Sequence, residues 1–264
     1  MALFAPPRLL PLGDGAVTLQ FGDEVSAQAN ARVHGFTRAL AEAVRSNAVT
    51  GVLEWVPAFA SVTIQVDDAS EQAAIERDAA LLTLAQSAPP LHTSGRHWQL
   101  PGCFETEFAP DLQGLAAARG LSPQQVIDYV VATPFRVYML GFLPGHPYMG
   151  DLPAACEVPR LASPRREVPV RSIAVAGRMC TIYPWPSPGG WHLIGRTPVR
   201  VFDAAAAEPA LLRPGDTVTW QRVGLAAFEA LERRAQAGTL DPAEFLARSA
   251  EHLTERSTGP STER

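Results

Sequence analysis

The chain contains no lysine: all 22 basic residues among its 264 are arginine. A P-loop lysine, a Schiff-base lysine and a biotinyl-lysine are therefore excluded. Cysteine is scarce as well. Cys103, Cys156 and Cys180 are odd in number and form no CxxC pair, which predicts a reduced, cytoplasmic protein. No apolar run reaches the ~18 residues a membrane helix needs. The segment Met1–Arg8 lacks a basic lead and a long apolar core, so no signal peptide is expected. The six histidines form no HxH, HExxH or His/Cys cluster, and no metal is expected. A net charge of -5 opposes nucleic acid as a partner, since phosphate binding needs a basic surface.

What remains describes a globular chain, 47% apolar and 19% charged. From Leu9 to Phe21 the pattern predicts strand, turn, strand: Leu10 and Leu12 precede the turn at Gly13–Gly15, and Val17, Leu19 and Phe21 then alternate as in a half-buried strand. Val33, Phe36, Leu40 and Val44 recur at helical spacing within a helix from about 26 to 45. Two strands follow at 51–56 and 61–66, then a helix from about 70 to 86 with Ser70 as N-cap. With a further strand at 96–104, the order β-α-β-β-α-β suggests a ferredoxin-like unit. Beyond it, helices are expected at 111–118 and from Ser122-Pro123, then many short strands with Gly/Pro punctuation, the texture of a barrel or sandwich. Helices are expected again at 225–237 and from Asp241-Pro242 to about 253, and the tail 257–264 is read as disordered.

The unusual chemistry lies between Arg136 and Thr197. Two loops, Gly141–Tyr148 and Tyr183–Thr197, concentrate Gly, Pro and aromatic residues, a composition that suits a pocket wall of backbone and rings. Arginines at 160, 165, 166, 171, 178 and 196 surround them. One reading is an anionic ligand held by Arg165 and Arg196 against Tyr183 and Trp191, since a guanidinium suits carboxylate and phosphate. The other is a solvated loop whose arginines cover apolar surface. His146 and His192 are the only histidines in the loops and are read as ligand contacts. Ser187 sits between two prolines and matches no G-x-S-x-G elbow.

The runs Gly141-Phe142-Leu143-Pro144-Gly145-His146-Pro147-Tyr148, Pro159–Pro169, Ala176-Gly177, Ile182–Pro184 and Ser187–Pro198 resemble the family of the 5-oxoprolinase subunit PxpB, which includes KipI and allophanate hydrolase subunit 1. The resemblance covers roughly 9–222. It implies an N-terminal α+β domain and a cyclophilin-like β-barrel; with the ferredoxin-like element order above, the fold class is α+β, with a ferredoxin-like domain at 1–95, the barrel at 96–224, and a C-terminal helical extension and disordered tail at 225–264 that exceed what the family usually shows. It implies a PxpB-type component of an ATP-dependent 5-oxoprolinase, inactive alone, working with PxpC-like and PxpA-like subunits, with ATP bound by the complex. A KipI-type inhibitor of a sensor histidine kinase and an accessory subunit of an allophanate hydrolase or urea carboxylase-like amidolyase are the alternatives. The candidate ligand-binding residues are Arg160, Arg165, Tyr183, Ser187, Gly189, Gly190, Trp191, Arg196 and His146. The chain departs from the family pattern at Val130, His146, Leu161, Arg171, Met179 and Cys180, which implies an altered ligand.

Overall fold

The computed structural model describes residues 3–67, 79–92 and 95–247. By contact the chain divides into two compact units. The first comprises Met1–Gly95, Arg136–Gly150 and Leu212–Gly215; the second comprises Arg96–Phe135, Asp151–Leu211 and Asp216–Arg264.

In the first unit an antiparallel sheet contains β1 (Leu3–Pro11), β2 (Ala16–Gly22), β3 (Val52–Pro57) and β4 (Ser61–Val66), ordered β1-β2-β4-β3. Helix α1 (Ala27–Arg45) starts where Ser26 accepts a hydrogen bond from the Ala29 amide. Val33, Phe36 and Leu40 of α1 pack on Val17, Leu19, Phe21, Val62 and Ile64, the expected face and the expected strand alternation. Gly35 is required there by close approach: a Cβ at this position would lie 2.0 Å from the Pro89 carbonyl oxygen. Helix α2 (Ala79–Ser87) adds Leu81 and Ala85 to this core. Its expected cap, Ser70, lies outside the described residues. The β-α-β-β-α-β expectation needs correction. The two strands expected before α1 are present, but the place beside β2 is taken by β1, not by residues 96–104. Pairing of β1 with β2 across the turn at 12–15 is the more local contact and closes the smaller loop. The hairpin of β6 (Phe135–Leu140) and β7 (Pro147–Gly150) carries the first Gly/Pro loop between its strands.

In the second unit β5 (His97–Gly102) pairs in parallel with β13 (Thr217–Arg222). Asp216 anchors the pair, accepting from the Arg96 amide at 2.8 Å, Arg96 Nη2 at 2.8 Å and Trp98 Nε1 at 3.0 Å. Helices α3 (Leu112–Ala118) and α4 (Pro123–Ala132) follow, the latter with the Ser122/Gln125 capping box and Pro123 in its first turn. Strand β9 (Ser172–Ala176) runs antiparallel between β10 (Met179–Ile182) and β12 (His192–Arg196). A ribbon of β8 (Arg165–Val168) and β11 (Ser187–Gly189) carries the second loop. Helix α5 (Leu225–Gln236) is as expected. Of the helix expected from Asp241 to about 253, residues 248–253 lie outside the described residues; up to 247 it is not formed, and Asp241 caps a single 3-10 turn, Pro242–Phe245. The backbone then leaves the helical path, Leu246 bridging Trp98 and the Ala247 amide donating to the His97 carbonyl at 2.8 Å. A free sheet edge thus captures the chain before a second helical turn forms.

Candidate functional site

The second Gly/Pro loop is organised by a carboxylate. Asp111, at the start of α3, accepts from Arg165 Nη2 at 2.5 Å and from the Leu193 amide at 2.6 Å. The Asp111 amide in turn donates to the Leu193 carbonyl at 3.2 Å. Arg165 also reaches the Trp191 carbonyl at 3.5 Å. Arg165 is therefore already charge-paired and clamps the loop to α3. Arg160 lies over the Trp191 ring at 5.9 Å, and Trp191 itself is buried.

Glycine at 189 is dictated by packing. A Cβ there would come within 2.4 Å of the Tyr183 hydroxyl and 2.9 Å of Val168 Cγ2. Tyr183 is buried, so this contact sets the depth of the ribbon. Gly190 is looser, with Pro164 atoms at an ordinary 3.7 Å. Ser187 is buried, and its Oγ has no hydrogen-bond partner among the described residues. A buried hydroxyl left in that state costs free energy unless water or a ligand completes it.

Arg196 faces a different group of residues. Its Nε donates to the Val170 carbonyl at 3.1 Å, and its guanidinium stacks 5.6 Å from the centre of the Phe108 ring. Burial lowers its pKa, as does the charge of Arg171, while Glu232 opposes both. Arg171 forks onto Glu232 of α5. Arg165 and Arg196 are thus engaged by separate partners, Asp111 for one and the Val170 carbonyl with Phe108 for the other. His192 sits at the loop edge with Nε2 2.9 Å from the Pro159 carbonyl. Trp185 is half exposed, its ring 5.8 Å from that of Phe202.

His146 belongs to the first unit. A tight turn brings it inward: Phe142 and Gly145 take positive φ (70° and 74°), and the His146 amide donates to the Leu143 carbonyl at 3.0 Å. The imidazole is buried between Phe142, centroid 5.5 Å away, and Tyr148, at 5.1 Å. Burial lowers its pKa to about 4, so at neutral pH it is an uncharged imidazole and no store of protons. Beside the same hairpin, Asn30 Nδ2 donates to the Phe59 and Tyr138 carbonyls at 3.3 Å each. The pKa of His34 is lowered, chiefly by burial.

Asp111 and Glu232 are the residues the sequence reading missed. Asp111 carried only the signal of a helix start. Glu232 carried none, since its partner is 61 residues away. Among the described residues no group of three or more His, Cys, Asp or Glu could hold a metal ion. No helix among them is long and apolar enough to cross a membrane.

The profile of the family "Carboxyltransferase domain, subdomain C and D" matches residues 7–212, and the chain belongs to that family. It is 36% identical over 223 residues to the B-type subunit of 5-oxoprolinase from Bacillus subtilis (strain 168), covering 80% of this chain and 91% of the relative. The crystal structure of TTHA0988 superposes with a TM-score of 0.65 at 35% identity, over 79% of this chain and 40% of that one; this chain thus matches less than half of that protein. The Kluyveromyces lactis urea amidolyase superposes with a TM-score of 0.73 over 91% of this chain and 17% of that one. At 19% identity this last likeness is one of fold alone.

Proposed function

We propose that this chain is the PxpB-type component of an ATP-dependent 5-oxoprolinase, which opens 5-oxo-L-proline to L-glutamate together with PxpA-like and PxpC-like subunits in the cytoplasm. The observation that carries the reading is the 36% identity to a 5-oxoprolinase component over most of both chains. The site is compatible with it. 5-Oxoproline has a carboxylate and a lactam carbonyl; the second loop supplies the Arg196 guanidinium, the buried Ser187 hydroxyl and the Gly189-Gly190 backbone, and Arg160 and Arg165 precede it in the same unit. Arg160, Arg165, Arg196, Tyr183 and Trp191 are the contacts proposed from this unit. His146, in the first unit, is proposed separately as a neutral hydrogen-bonding group. The domains proposed with this reading are an α+β domain at 1–95, to which the contacts add 136–150 and 212–215, a cyclophilin-like barrel in the remainder of 96–224, and a C-terminal helical extension.

ATP is proposed as a ligand of the complex rather than of a P-loop in this chain. Without lysine there is no P-loop, and ATP is assigned to a partner subunit. In the reaction water cleaves the lactam C–N bond, and the phosphoryl group of ATP ends as phosphate. Co-expression with PxpA-like and PxpC-like chains is expected to give glutamate release that requires both 5-oxoproline and ATP. A co-purifying three-subunit assembly that consumes neither would overturn the proposal.

A further inference from the structure

Glu232 lies beyond the family profile, which ends at residue 212, yet its carboxylate is seated on arginines inside it. Arg171 holds both oxygens, Nη1 to Oε2 at 2.7 Å and Nη2 to Oε1 at 2.5 Å. Arg196 adds its charge to the same carboxylate. Both guanidinium groups are fixed by other contacts as well: Arg171 donates to the Pro198 carbonyl at 2.9 Å, and Arg196 to the Val170 carbonyl while stacking on Phe108. Arg171 and Arg196 thus both act on this one carboxylate, Arg171 by direct hydrogen bonds.

Two more observations point the same way. Arg171 has φ 66°, a backbone conformation that side chains other than glycine rarely adopt, and such residues persist where a function holds them. Next to the fork lies a cavity of about 590 Å³ whose lining includes Arg171, Arg200, Glu232, Asp203, Trp185 and Phe202. It offers aromatic walls for an apolar body beside a charged end. Glu232 is also not the only tie of α5, because Phe228 packs 4.7 Å from Phe108. The carboxylate can leave while this packing still holds the helix.

We propose that Arg171 and Arg196 form a receptor for a small organic carboxylate, that Glu232 occupies it in the free chain, and that a ligand entering from the adjoining cavity displaces Glu232. The α5 carboxylate is then an internal competitor. An internal competitor lowers the apparent affinity by the fraction of chains in which the site is open. The proposal shares Arg196 with the functional reading above but needs neither ATP nor a partner, so the two fail separately.

Glutarate is the probe, titrated into the full chain at constant ionic strength and followed by calorimetry and tryptophan fluorescence. Glu232→Gln is expected to bind it about tenfold more tightly than the native chain, or better. Adding Arg171→Gln to that variant should abolish the gain. Equal affinity of the native chain and Glu232→Gln, or a gain that survives Arg171→Gln, overturns the proposal. A second measurement needs no variant. Excess glutarate, against sodium chloride of equal ionic strength, should speed hydrogen exchange across residues 225–236 of the native chain. Unchanged or slower exchange there overturns it equally.

Discussion

At the scale of single residues, His146 makes a pH statement. Its pKa falls from 6.5 to about 4 through burial. The unfolded chain takes up this proton near pH 6.5, the folded chain only near 4. Between those values the unfolded state binds more protons, so stability falls as pH drops, by up to about 1.4 kcal/mol per pH unit. His34 is shifted in the same direction and adds to the slope. Urea midpoints of the native chain should drop between about pH 6.5 and about pH 4.5 more steeply than those of His146→Phe, which keeps an aromatic ring between Phe142 and Tyr148. Parallel slopes would mean that His146 titrates normally. The sequence located this residue by its loop but gave it no environment. The GFLPG-HPY spelling reveals a turn; that the turn folds the imidazole inward against Tyr148 depends on ring packing that no spacing encodes.

At the scale of elements, Asp111 joins α3, the β8–β11 ribbon and β12 through one carboxylate. Asp111→Ala removes both acceptors, leaving the half-buried Arg165 guanidinium and the Leu193 amide without their partner. We expect a loss of about 1–3 kcal/mol in denaturant unfolding, with Arg165→Leu costing less in the Asp111→Ala background than alone. Additive losses would show that the two side chains do not act as a pair. Most helices and strands were legible because their apolar periods and caps are local: Val33, Phe36 and Leu40 on α1, or Ser122-Pro123 at the start of α4. The partners of Arg165 and Arg171 were not, since Asp111 and Glu232 lie 54 and 61 residues away. The chain beyond Asp241 was misread for a related reason. A good cap predicts a helix only if no sheet edge competes for the backbone that follows.

At the scale of the molecule, the family profile and the fold end in different places. The profile stops at residue 212, while Val218 and Trp220 of β13 are buried and cover Trp98 and Leu100 of β5. A chain cut after Leu212 should lose the cooperative unfolding of its second unit and the near-ultraviolet signal of Trp98. A truncated chain with a native-like transition would make β13 dispensable. The relation to the 5-oxoprolinase component was readable because several runs carry it, Ser187–Pro198 the most specific of them, and within that run Gly189 is held by close approach of the Tyr183 hydroxyl.

The parallel pairing of β5 with β13 also sets a timetable. On the ribosome, β5 emerges about 115 residues before the strand it must lie beside. At roughly 5–20 residues per second that is a wait of roughly 6–23 s. Throughout that interval Trp98 and Leu100 have no β13 to cover them, and the nascent chain is a natural client for a chaperone.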